Sequence, residues 1–377
     1  MDFIAFRKEL HRHPELSGQE YQTSERIHSA LKQLHVDTII HPIGKTGVAA
    51  VIDSGRNGKT VMFRAELDAL PINEDTQLNH ESLIKGVSHQ CGHDGHMTIL
   101  LRLASMIVKS KLTKGRVILL FQPAEETGEG AQWVLDDPVF ESIFPDVIYA
   151  LHNVPGMPLG EIFSKTGLFT PWVISVAIRF KGVVAHASEP EKGLNPVFAM
   201  IPLNEKILSL SSPEKDKPDF ALITPVHICL GNKDYGISPD QGELHYTIRS
   251  WSYSVLEEIQ RTLNLWVKEV HSIQNMECEL EWTHPFGAVK NDLSAVHNIK
   301  KSAHEAGLTY HELDNPNPWG EDFGLFTQRI PGAMFCIGSG EKCAPLHSGK
   351  FDFPDELIET GADLFFRILM NELTEKS

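Results

Sequence analysis

Residues 116–126 read Arg116-Val117-Ile118-Leu119-Leu120-Phe121-Gln122-Pro123-Ala124-Glu125-Glu126. The unbroken apolar run up to Gln122 is the pattern of a strand buried on both faces, as in a parallel sheet. Pro123 and two adjacent carboxylates then leave it. Open α/β sheets place their sites at the carboxyl ends of strands, so Glu125 and Glu126 stand where chemistry is expected. Two like charges side by side invite a division of labour. If Glu126 ligates a metal ion its charge is neutralised, and Glu125 is free to act as general base on a metal-activated water. A solvated acidic turn is the plainer alternative for the pair alone.

The flanking sequence repeats the theme of an apolar run leading to a metal-compatible residue. Asp146-Val147-Ile148-Tyr149-Ala150-Leu151 predicts a strand with His152 at its end. The run Ala333-Met334-Phe335-Cys336-Ile337 is followed by Ala344-Pro345-Leu346-His347. Between the first strands lies Cys91-Gly92-His93-Asp94-Gly95-His96, in which Gly92 permits a sharp bend that lets Cys91 and His93 converge. The apolar segment from Met97 to Ile107 predicts a buried helix with His96 in its first turn. A core thiol and capping histidines are the structural alternative, but thiolate, imidazole and carboxylate within six residues are the donors of a zinc-type site.

The order of elements sets the expected architecture. Residues 1–172 alternate amphipathic helices, such as Thr23 to Leu34, with apolar strands including Gly47 to Ile52 and Thr60 to Phe63. That alternation predicts an α/β fold, a mostly parallel sheet with helices on both faces. From Val173 to about Thr283 the order becomes strand, helix, strand, strand, helix, strand. Val173–Phe180 alternates, and helices are expected over 195–211 and 255–275. This predicts an inserted α+β domain, a four-stranded antiparallel sheet with two helices, whose exposed edge could pair with another subunit. A helix over 292–306 then resumes the first domain. The expected division is 1–172 with 285–377 as a discontinuous catalytic domain and 173–284 as a lid and dimerisation domain, hinged near 172 and 284.

With these elements placed, the chain resembles the M20-type metallopeptidases of the amidohydrolase branch, which holds N-acyl-amino-acid, hippurate, auxin-conjugate and N-acetyl-diaminopimelate hydrolases. The matching stretches are Arg7-Lys8-Glu9-Leu10-His11-Arg12-His13-Pro14-Glu15-Leu16, Phe63-Arg64-Ala65-Glu66-Leu67-Asp68-Ala69-Leu70-Pro71, Cys91 to His96 and Gln122 to Glu126. Later come Gly182-Val183-Val184-Ala185-His186-Ala187, Glu321-Asp322-Phe323, Leu346-His347-Ser348 and Phe351-Asp352-Phe353. The resemblance implies that Cys91 bridges two divalent ions per subunit, with His93, Glu126, His152 and His347 completing the ligand set. It implies that Glu125 is the base and that His186, from the inserted domain, donates to the oxyanion, in some relatives across a dimer interface. Glu66 and Asp94 are expected to orient the ligands from behind. Zinc suits the thiolate and imidazoles, manganese the carboxylate, and cobalt is possible.

This sequence departs from the family pattern in places. Glu66 stands where relatives usually carry aspartate, Gln90 where a small residue is common, and Asn195 where aspartate is usual. The segment Leu230-Gly231-Asn232-Lys233-Asp234-Tyr235-Gly236-Ile237-Ser238-Pro239-Asp240 differs from the Gly-Gly and Asn-Val-Ile-Pro of relatives. Asn232 and Arg249 are the candidate substrate contacts. His245-Tyr246-Thr247-Ile248-Arg249 is also simply a strand with one polar face, and for Arg249 that structural reading is favoured.

Composition narrows the class. A chain of 377 residues exceeds one ordinary core, and no apolar run approaches the roughly 20 residues of a membrane span. A formal charge of −16 argues against nucleic-acid binding. Five irregularly spaced cysteines, and an N-terminus without a secretory pattern, predict a reducing cytoplasm. The expected activity is hydrolysis of the amide bond of a small N-acylated L-amino acid by a homodimer or higher homo-oligomer. A dipeptidase or aminoacyl peptidase, or an inactive metal-binding ligand sensor, is the alternative.

Overall fold

The computed structural model describes residues 1–274 and 276–374. Their contacts divide into two compact units, one of Met1–Phe169, Val289–Pro316 and Glu321–Ser377, the other of Thr170–Ala288 and Asn317–Gly320. The chain opens with helices α1 (Phe3–Arg12) and α2 (Tyr21–Gln33), strands β1 (Thr38–Ile43), β2 (Gly47–Asp53) and β3 (Thr60–Glu66), and helix α3 (His93–Ser110). It continues through β4 (Arg116–Gln122), α4 (Gly130–Asp136), β5 (Val147–Val154), β6 (Ile162–Ser164) and β7 (Gly167–Leu168). The second unit holds β8 (Trp172–Lys181), β9 (Ala185–His186), α5 (Val197–Leu208), β10 (Ala221–Leu230), β11 (Ile237–Ser238), β12 (Gln241–Ser250), α6 (Tyr253–Gln274) and β13 (Glu277–Phe286). The return to the first unit supplies β14 (Lys290–Asn291), α7 (Leu293–Glu305), β15 (Tyr310–Glu312), α8 (Gly324–Thr327), β16 (Gly332–Gly338) and α9 (Leu357–Thr374).

The first unit is built on an eight-stranded sheet in the order β1-β2-β4-β3-β5-β16-β6-β15. Its centre is parallel, with β3 between β4 and β5 and β16 beyond β5. Antiparallel pairs flank that centre, β2 on β4 at one side and β6 on β16 at the other. The central strands are apolar without alternation because both faces are covered. Phe63, Leu119, Phe121, Tyr149 and Phe335 pack with α1, α2, α3, α7 and α9, while Met62, Ile118, Leu120, Ile148 and Met334 on the opposite face are equally buried.

One expected boundary shifts. The strand carrying His152 does not stop at Leu151 but runs on to Val154, because β16 keeps pairing with it, His152 against Cys336 and Val154 against Gly338. His152 therefore projects from a strand rather than from the loop after it.

The second unit is a four-stranded antiparallel sheet, β10-β12-β8-β13. Ile174, Val176, Ile178 and Phe180 of β8 and Leu244, Tyr246 and Ile248 of β12 alternate onto one face and pack with Leu203, Ile207, Ile259 and Leu263 from α5 and α6. The expected helix end at Asn275 lies outside the described residues. Strand β10 is an edge, and from Thr224 to Cys229 both of its faces are exposed.

Candidate metal centre

Two turns bring the sequence-predicted ligands together. Gly92 adopts φ +92° ahead of α3, and a Cβ there would fall 2.3 Å from Asn153 Oδ1, so only glycine fits. This bend sets Cys91 and His93 side by side. After β4, Ala124 takes the left-handed φ of +49°, a cost the fold meets by tying its N–H to Glu20 Oε1 at 2.8 Å. The turn points Glu125 and Glu126 back at the same place. His347, also left-handed at φ +61°, is anchored by its N–H to the Gln90 carbonyl at 2.8 Å.

Ligand atoms of Cys91, His93 and His152 lie within 4.8 Å of one another, as do those of Cys91, Glu126 and His347 and those of His93, Glu125 and Glu126. His152 Nε2 is 3.5 Å from Cys91 Sγ. Glu126 Oε1 is 3.9 Å from His93 Nε2 and 3.7 Å from His347 Nε2. All five residues of the expected ligand set thus meet in overlapping triads linked pairwise through Cys91, His93 and Glu126, with Glu125 beside them.

The imidazoles are oriented for lone pairs to face inward. His93 Nδ1 donates to the Asp68 carbonyl at 2.9 Å, and its buried Nε2 has no hydrogen-bond partner among the described residues. His152 Nδ1 donates to the Asn153 carbonyl at 2.8 Å, which turns Nε2 to Cys91. Asp68 Oδ2 also accepts from Ser17 Oγ at 2.7 Å and from the Glu126 N–H at 2.9 Å, so this one residue positions a histidine through its carbonyl and a glutamate through its carboxylate.

The cluster crowds several buried acidic groups and imidazoles together. Burial, then Glu321, Glu126 and Asp322, push Glu125 well above the carboxylate range, with Arg64 opposing. Burial is also the main cause that lifts Glu126 to about 7, against the pull of His93. Burial opposes charge on His93, yet Glu66, Asp68 and Glu126 outweigh it and raise the imidazole to about 10. Burial, with His96 second, lowers His152 to about 3, and burial with Glu126 and Glu125 raises the Cys91 thiol. Thiol, imidazoles and carboxylates crowded together, with His93 Nε2 and Glu126 Oε1 lacking a hydrogen-bond partner among the described residues, are what divalent cations relieve. The donor set fits such ions.

His96, within the same motif, is otherwise engaged. Its Nδ1 is 2.7 Å from Glu66 Oε2, and its Nε2 accepts the Asn153 N–H at 3.2 Å. Glu66 in turn pairs with Arg64, whose guanidinium also holds Glu321 at 2.9 Å and Asp322 at 2.7 Å, while its Nε donates to Gln122 at 2.8 Å. Asp94 faces another way, towards Arg7 at 3.0 Å and His11 at 2.9 Å.

Sequence reasoning missed Asp68, Arg64 and Glu20 as organisers of the site. Asp68 and Arg64 lie in a quoted motif, but no spacing rule reveals which backbone or side chain a carboxylate will meet. Gln90 and Asn153, flanking Cys91 and His152, are buried with side-chain amides that have no hydrogen-bond partner among the described residues.

In the second unit, His186 is exposed on β9, which pairs with β11 so that Ile237 faces His186. The atypical loop 231–239 therefore braces the strand that carries His186. Ser188 N–H donates to His186 Nδ1 at 3.1 Å. Asn232 is exposed in that loop, and Arg249 is half-buried on β12.

Residues 62–371 match peptidase family M20/M25/M40. The chain is 32% identical over 372 residues to thermostable carboxypeptidase 1 of Saccharolobus solfataricus, covering 95% of this chain and 92% of that protein. It is 32% identical over 336 residues to the N-acetyldiaminopimelate deacetylase of Halalkalibacterium halodurans, covering 89% and 90%. A crystal structure from Bacillus subtilis, described as a dinuclear metal-binding peptidase of the M20 family, superposes with a TM-score of 0.79 at 27% identity, covering 98% of this chain and 97% of that one. The chain belongs to peptidase family M20/M25/M40, and is thus a metal-dependent hydrolase of linear amide bonds.

Proposed function

We propose that the protein removes the acyl group from N-acyl-L-amino acids, releasing a carboxylic acid and a free amino acid. The observation that carries this reading is the convergence of Cys91, His93, Glu126, His152 and His347 around a buried Glu125. These five residues would hold two divalent ions, with zinc favoured by the thiolate and imidazoles and manganese or cobalt as alternatives. Such ions polarise the scissile carbonyl and lower the pKa of the attacking water towards about 7.

Glu125 accepts the proton of the attacking water and passes it to the departing amine. It is buried beside Glu321, Glu126 and Asp322, next to the residues that would hold the ions. His186 donates to the developing oxyanion. Its Nδ1 is engaged locally by Ser188, 2.7 Å from Oγ and 3.1 Å from the N–H, which leaves Nε2 as the nitrogen that meets a substrate.

Arg249 grips the substrate carboxylate. It has no ion-pair partner among the described residues, and burial alone pulls its guanidinium down, so an incoming carboxylate would satisfy it. Asn232, in the atypical loop, contributes to substrate choice. The exposed β10 edge joins two copies of the chain into a dimer. The five cysteines form no disulfide among the described residues, as suits a reducing cytoplasm.

A peptidase reading is favoured by the likeness to the carboxypeptidase. The test is a substrate panel of N-acetyl and N-benzoyl amino acids beside peptides, with enzyme stripped of metal and refilled with zinc, manganese or cobalt. Metal-restored release of amino acid from the acylated substrates supports the deacylase, whereas activity confined to peptides moves the assignment to peptidase.

A further inference from the structure

Glu25, His28 and His41 form a second group of potential ligands, sharing no residue with the cluster around Cys91, and one ligand atom of each lies within 4.8 Å of the others. Glu25 and His28 are three residues apart on α2, hence on one face of the helix. His41 comes from β1, the edge strand of the large sheet. The two imidazoles lie 4.7 Å apart between ring centroids at 35°.

The carboxylate faces both rings without bonding closely to either. Glu25 Oε1 is 3.5 Å from His28 Nδ1 and Oε2 is 3.9 Å from His41 Nδ1, both too long for a good hydrogen bond. His28 Nδ1 is buried and has no hydrogen-bond partner among the described residues. His41 is held from behind, its Nε2 2.7 Å from Ser24 Oγ, which fixes the ring with Nδ1 turned to Glu25. An outer hydrogen bond on one nitrogen and an open lone pair on the other is how a ligating histidine is oriented.

We propose that Glu25, His28 and His41 bind a further divalent transition-metal ion, of the zinc, nickel or copper class. Two imidazoles and one carboxylate, with room left for solvent ligands on the exposed side, are a donor set that such ions take. The bound ion ties α2 to β1. This braces an edge strand that has a pairing partner on one side alone.

Zinc is the probe. Full-length protein equilibrated by dialysis against free zinc, then assayed for bound metal, is expected to hold one more ion per chain than the double variant His28→Gln/His41→Gln. Turnover of that variant should equal the wild type. Glu25→Gln, which keeps both rings, should weaken the extra ion at least tenfold, and Lys32→Ala, which removes a cation one turn beyond His28, should tighten it. Equal zinc content in wild type and the double variant overturns the site. So does an extra ion whose affinity ignores Glu25→Gln. Neither outcome depends on which amide the enzyme cleaves, because a failed deacylase assay leaves the difference in bound zinc untouched.

Discussion

Glu66 and His96 are joined by a 2.7 Å contact between Oε2 and Nδ1, beside His93 of the candidate ligand cluster. The far nitrogen of His96 accepts the N–H of Asn153, the residue after His152, so the longer glutamate reaches from the Arg64 network to the backbone that carries a ligand. Shortening it by one methylene in Glu66→Asp breaks this chain of contacts at one end or the other. The expected result is a 10- to 100-fold loss in metal affinity, measured by competition with a chromogenic chelator. An unchanged affinity would mean that the extra methylene is accommodated without a role.

Arg64 is the buried counter-charge for Glu66, Glu321 and Asp322. In Arg64→Met three carboxylates lose their common partner inside the fold. Breaking a buried pair from one side costs about 3–5 kcal/mol. Denaturant unfolding of the metal-free protein should show a loss of at least this size.

His11 supplies a pH dependence of stability. Burial opposes its charge, but Asp94 and Glu74, at 2.9 and 3.1 Å, raise it from the usual 6.5 to about 10. A raised folded-state value stabilises the charged form, so the contribution is complete below about 6.5 and drains away as pH climbs to about 10. Thermal melts of wild type should fall over that window by more than those of His11→Gln. Parallel curves for the two proteins would remove His11 from the account.

The β10 edge carries Val226 and Ile228, 59% and 55% exposed, with no strand on that side among the described residues. Lysine at both positions blocks strand addition. Light scattering is expected to give twice the chain mass for wild type and the chain mass for Val226→Lys/Ile228→Lys. A wild-type monomer would exclude a dimer through this edge.

Much of the fold was legible because burial on both faces writes itself into β4 and β16 as unbroken apolar runs, and burial on one face writes alternation into β8. The candidate ligands were legible because Glu126, His152 and His347 follow or end such a run, while Cys91 and His93 stand just ahead of the apolar α3. The extent of β5 was not, since His152 and Asn153 are polar and stay in the strand because of their partners in β16. Nor were the positioning contacts. Asp68 meets His93 across 25 residues and Arg64 meets Glu321 across 257, and only the folded chain brings such groups together. His96 shows the same limit from the other side, since its spacing suits a ligand while its neighbours Glu66 and Asn153 occupy both nitrogens.

The central claim is that Glu125 moves the proton while its neighbours hold the metal. Turnover of an N-acetyl amino acid and bound metal should be measured together for wild type and Glu125→Gln. Full metal content with a rate lowered by about 10²–10⁴, the usual contribution of a general base, is the predicted result. A rate within a few-fold of wild type at equal metal content would contradict the assignment.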